Sequence, residues 1–133
     1  MTKEIFGLEA KTYHKPEHNV TDVVIFSKRL RSLIKLLCGK GAKNKRLFQP
    51  LMLISPEIQI ECLKTWLYGD GSFFSTRKDT KQIHGNTISR ELVYQMYLIA
   101  LRNNLTPSVN VLKHKNRDNL NYRLYFNTFD SYK

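Results

Sequence analysis

Acidic residues are scarce in this sequence: 11 Asp and Glu stand against 22 Lys and Arg in 133 residues, a net charge of +11. So large an excess disfavours cationic partners and calls for a polyanion, of which nucleic acid is the commonest. The plain alternative is a basic surface that engages nothing. Cysteine is equally scarce. Cys38 and Cys62 have no CxxC partner and sit within apolar helical patterns, which favours buried, reduced thiols over a disulfide or zinc site. His14, His18, His84 and His114 show no metal-ligand spacing and are expected on the surface. No apolar run approaches the ~18 residues needed to cross a bilayer, and no N-terminal stretch has the character of a secretory leader. The expectation is therefore no membrane partner and an intracellular chain, in cytoplasm, nucleus or organelle.

What is present is a domain-sized chain with 41% hydrophobic residues, enough for a core rather than disorder. Residues 4–13 and 19–26 predict strands, with turn chemistry at Lys15-Pro16-Glu17-His18-Asn19 between them. Ser27 reads as the cap of an amphipathic helix carrying Leu30, Leu33, Ile34 and Leu37, and Gly39 sits where a helix-ending glycine belongs. Residues 39–55 show no period and predict an ordered connection. From Lys28 to Arg46 there are eight basic residues and no acid. Such a run is either a solvated face plus linker or a phosphate-binding stretch.

Ser55-Pro56-Glu57 combines an N-cap, a proline at the first helical position and an acid at the positive helix end. The helix it starts runs to about Tyr68 and is apolar nearly all round, which implies burial on more than one side. Strands at 72–78 and 82–88 follow. A helix over 90–103 is then capped by Ser89, and strands near 107–114 and 120–127 complete the pattern. The order from residue 56 is α-β-β-α-β-β, an α+β arrangement with an antiparallel sheet that carries its helices on one face. Ile25-Phe26-Ser27-Lys28-Arg29-Leu30 faintly echoes Thr87-Ile88-Ser89-Arg90-Glu91-Leu92. Capping physics alone can produce that likeness.

The segment Leu63-Lys64-Thr65-Trp66-Leu67-Tyr68-Gly69-Asp70-Gly71 carries an acid-glycine step at the end of an apolar helix. Its surroundings are Lys-Asn-Lys-Arg-Leu at 43–47, Ser-Pro-Glu at 55–57, Ser-Phe at 72–73 and Ser-Arg-Glu-Leu at 89–92. Taken together these resemble the LAGLIDADG homing-endonuclease family in its dodecapeptide form. Departures from the family pattern are Thr65 at a position of small residues, Tyr68 for the first acid, and Phe48 where the upstream pattern ends in proline.

The resemblance implies two sets of expectations. The first concerns organisation: residues 1–55 close a first repeat and 56–133 form a second that lacks its last helix. A complete enzyme pairs two such repeats, through a homodimer or a preceding half. Thr65, Trp66 and Gly69 would lie on the interface between their motif helices. The second concerns chemistry, the intron- or intein-associated, Mg²⁺-dependent cleavage of double-stranded DNA. Asp70 is the implied metal carboxylate with Gly69 beside it, and Lys45 is the lysine near the scissile phosphate. DNA contacts are expected from Lys43 and Arg46, from Arg77, Lys78, Lys81, Gln82 and His84 in one hairpin, and from Lys113, Lys115, Arg117 and Arg123 in the other. Which of them reach bases depends on strand phase, since a one-residue slip swaps the faces. The alternative on the same fold is a non-cleaving DNA- or RNA-binding module, such as a maturase-like protein. Apart from any family, an Asp-Gly step after a helix is also an ordinary turn.

Overall fold

A computed structural model describes residues 2–77, 80–113 and 119–127, with side chains left out of the description at residues 2, 73–81 and 127. The chain divides into two compact units, residues 1–35 and 36–133.

The first unit holds a short helix α1 (Thr2–Phe6), the strands β1 (Ala10–Lys15) and β2 (Val20–Ile25), and the greater part of α2 (Lys28–Cys38). The strand expected from residue 4 begins only at Ala10. Before it, the Gly7 N–H donates to the Lys3 carbonyl and closes a helical turn. β1 and β2 pair antiparallel, Ala10 opposite Ile25 and Lys15 opposite Val20. Lys15 and Asp22 form an ion pair at 2.6 Å across them, worth little because both are exposed. The Leu30 N–H donates to Ser27 Oγ at 3.2 Å, so the expected cap of α2 forms. No residue of α2 is buried, and Val23, Phe26, Leu33 and Ile34 are exposed.

The second unit holds α3 (Pro56–Asp70), β3 (Gly71–Arg77), β4 (Thr80–Thr87), α4 (Arg90–Arg102), β5 (Ser108–Lys113) and β6 (Leu120–Asn127). This is the expected α-β-β-α-β-β order, with α3 reaching two residues past Tyr68 so that Asp70 is its last helical residue. The sheet is antiparallel in the order β3-β4-β6-β5. Register fixes its two faces. Gly85 stands opposite Leu124, and Leu124 opposite Val109; this row, with Ile83 and Phe126, faces the helices. Leu63 and Trp66 of α3 and Leu92, Val93, Met96, Ile99 and Ala100 of α4 build the core against it.

Trp66 lies directly over Gly85. A β-carbon at Gly85 would come within 2.5 Å of the indole, so only glycine admits the ring there. The expectation that Trp66 belongs to an external helix interface is therefore corrected: α3 turns Gln59, Leu63 and Trp66 into its own core. Its other side is exposed at Ile58, Thr65, Tyr68 and Gly69. Among the described residues the all-round apolar character of α3 is thus matched on one side only. The two cysteines are half-buried free thiols. Among the described residues no helix is long and apolar enough to cross a membrane.

Candidate functional site

The connection at 39–55 is ordered, as its lack of period predicts, because α3 and α4 pin it. Ser89 Oγ donates to the Lys45 carbonyl at 2.5 Å. The Leu47 N–H donates to Gln95 Oε1 at 2.7 Å, and Gln95 Nε2 returns a bond to the Leu47 carbonyl at 3.3 Å. The Arg102 guanidinium donates to the carbonyls of Met52 and Ile54, and Gln59 Nε2 to that of Leu51. Ser89, Gln95 and Gln59 are buried, so the Ser89 hydroxyl, the Gln95 amide and Gln59 Nε2 find partners where water cannot reach, while Gln59 Oε1 has none among the described residues.

The pinned segment brings Lys45 to a cavity of about 420 Å³ that Asp70 also lines. Asn86, Asn119 and Asn121 complete its polar wall. Asp70 arrives from the C-terminus of α3. The next residue must be glycine, because a β-carbon at Gly71 would meet the Leu67 carbonyl oxygen at 2.1 Å. Asp70 is exposed, and it is the only acid lining the cavity among the described residues. Carboxylate and amide oxygens suit a hard divalent cation, which needs only one or two protein carboxylates and keeps several waters. Among the described residues no three His, Cys, Asp or Glu side chains group as metal ligands. Gly69 precedes Asp70 in the last turn of α3, and a β-carbon there would meet open space.

The strand phase that the sequence leaves open is resolved by the register. Gln82, His84 and Arg123 share the face opposite the helices, with Asn86 and Tyr125. Arg123 is held in place there: its Nε donates to Asn86 Oδ1 at 2.6 Å and its Nη1 to the Tyr125 hydroxyl at 3.0 Å. His84 differs from expectation. It is 2% exposed, its ring centroid lies 5.4 Å from that of Tyr125, and burial with the nearby Arg123 charge pushes its pKa down. It is a packed sheet residue rather than a surface histidine.

Lys113 shares its row with Val109 and Val111 and is exposed at the strand end, off the Arg123 face. Arg46 is committed to closing α2, its guanidinium donating to the Leu36 carbonyl at 3.1 Å and its N–H to the Cys38 carbonyl. Lys43 lines a second cavity, with Ile88 common to both. The side chains of Arg77 and Lys81, and residues Lys78, His114, Lys115 and Arg117 altogether, lie outside the described residues.

On the exposed side of α3, Ile58, Cys62, Thr65 and Gly69 recur at helical spacing. The Thr65 hydroxyl donates to the Glu61 carbonyl at 2.7 Å, so it is satisfied within its own helix. The site residues that sequence reasoning missed are Asn86, Asn119 and Asn121, whose only signal was a polar position near a strand end. No family model matches this chain, and no curated protein matches it.

Proposed function

We propose that the chain is part of a LAGLIDADG homing endonuclease, with residues 56–127 serving as one repeat of that fold. Duplex DNA would lie on the sheet face that carries Gln82 and Arg123, where a two-stranded ribbon can enter the major groove. Asp70 would hold a Mg²⁺ ion at the end of α3. Such an ion supplies Lewis acidity and an activated water to phosphodiester hydrolysis. Lys45 would stabilise charge developing on the scissile phosphate. The observation that carries this reading is the cavity shared by Asp70 and Lys45, two residues that the sequence keeps apart and the pinned connection draws together.

A second reading has its own support. Asp70 is alone as an acid in that cavity among the described residues, so double-strand cleavage requires another carboxylate from a second repeat. Without it, the same surface is a non-cleaving DNA- or RNA-binding module of the maturase type. Asp70→Asn separates the possibilities when duplex binding and Mg²⁺-dependent nicking are measured on one preparation. Cleavage lost with affinity kept or improved is the endonuclease outcome, since the change removes a negative charge facing phosphates. Wild-type protein that binds duplex and never cuts supports the module. Equal loss of binding and cutting makes Asp70 structural.

A further inference from the structure

The second cavity, about 480 Å³, is unlike the first: its walls are aromatic and cationic. Lys43 reaches it from the pinned connection, Arg90 and Glu91 from the first turn of α4, Tyr94 from the next turn and Tyr122 from β6. The Arg90 guanidinium stands over the Tyr94 ring at 5.7 Å from its centroid, which keeps a cation beside an aromatic plane. Tyr94 is 44% exposed and presents its ring to the cavity, while Tyr122 is half-buried, packing against the core and lining the cavity with the rest of its ring.

We propose that this cavity seats one unpaired nucleotide of a nucleic-acid strand, its base against Tyr94 and Tyr122 and its phosphate between Lys43 and Arg90. Its size falls within the range of small-ligand sites. Stacking on an aromatic ring is open to every base once it is unpaired, whereas a base inside a duplex offers no free face. Glu91 offsets one of the cations, which disfavours a free polyphosphate and gives the ring-edge N–H groups of a base an acceptor. The two cavities meet at Ile88, with Lys43 and Lys45 two residues apart, so a strand leaving the Asp70 cavity has a short path into this one. The proposal rests on the nucleic-acid reading above but not on cleavage by Asp70.

Fluorescence anisotropy with a short labelled single strand, a blunt duplex of the same sequence, and the RNA form of the strand tests it. Wild-type protein is expected to bind both single strands alike, because the cavity has groups for base and phosphate only. Tyr94→Leu should weaken single-strand binding about tenfold, within what one base–ring stack contributes. The same variant should leave duplex affinity unchanged, and Tyr94→Phe should restore the single-strand value. Unchanged single-strand affinity in Tyr94→Leu, or no wild-type single-strand binding, would overturn the proposal and leave the endonuclease reading standing. Single-strand binding that survives where duplex binding is absent would sink the endonuclease reading alone.

Discussion

The Ser89 hydroxyl ties two distant parts of the chain together: it donates to the Lys45 carbonyl and accepts the Leu92 N–H at 3.2 Å. One buried oxygen thus caps α4 and anchors the segment that carries Lys45 to its cavity. Ser89→Ala removes both bonds and leaves the Lys45 carbonyl and a buried helix N–H without these partners. A loss of about 2 kcal/mol is expected in urea unfolding, from a lost cap plus a lost long-range hydrogen bond. Faster amide exchange at 45–47 with α3 still protected would locate the effect. Unchanged exchange there would mean that the Gln95–Leu47 bonds hold the segment unaided.

Local signals made most of the second unit legible in the sequence. Ser-Pro-Glu sets the start of α3, the Ser27 and Ser89 caps form as expected, and β6 begins and ends where alternation places it. What stayed hidden depends on neighbours distant in sequence. Trp66 reads as a residue of a helix–helix interface until Gly85 is found beneath it, and no pattern within α3 reveals a glycine in a strand beyond it. His84 reads as a surface histidine because nothing in its own strand shows that neighbours such as Tyr125 cover it on the face away from the helices. The Asp70 cavity needs Asn86 and Asn121, from strands adjacent only in the sheet. The strand expected at residue 4 failed for a local reason, since Gly7 ends a helical turn first.

Gly85→Ala tests the Trp66 seat. The added methyl would meet three ring carbons at 2.5–2.9 Å, and neither a packed indole nor a central strand can retreat cheaply. Overpacking of this kind costs about 1–3 kcal/mol. Chemical denaturation should show it, and Trp66 fluorescence should shift in the native state. The double change Gly85→Ala with Trp66→Leu should recover part of the loss; no recovery would mean that the strand backbone, not the ring, sets the cost.

His84 gives a pH dependence with a definite sign. Burial first, then the Arg123 charge, hold its pKa below the ordinary 6.5, so the folded state prefers the neutral imidazole. Stability from this group is fully present above pH 6.5 and is lost as pH falls through the lower folded value. Thermal melts should drop on acidification below about pH 6.5, the ordinary value of the group. Replacing His84 by Gln should flatten that drop. An equally steep acid loss in the variant would assign it to the carboxylates instead.

The exposed side of α3 makes the strongest demand on a partner. Ile58, Cys62, Thr65 and Gly69 form a stripe one helix wide, and the satisfied Thr65 hydroxyl leaves its methyl group available to a second helix. If a second repeat covers this stripe, Ile58→Asp should abolish self-association in sedimentation while the melting temperature of the isolated unit stays level, because Ile58 is 58% exposed. Duplex affinity should fall with association, since a single repeat spans half the contact surface. Both affinities should decline steeply with salt, as a surface of +11 that binds phosphates releases counterions. A wild-type monomer that binds DNA as tightly as Ile58→Asp would mean that the stripe pairs with nothing in this chain. On the endonuclease reading, a second carboxylate would then have to come from a different polypeptide.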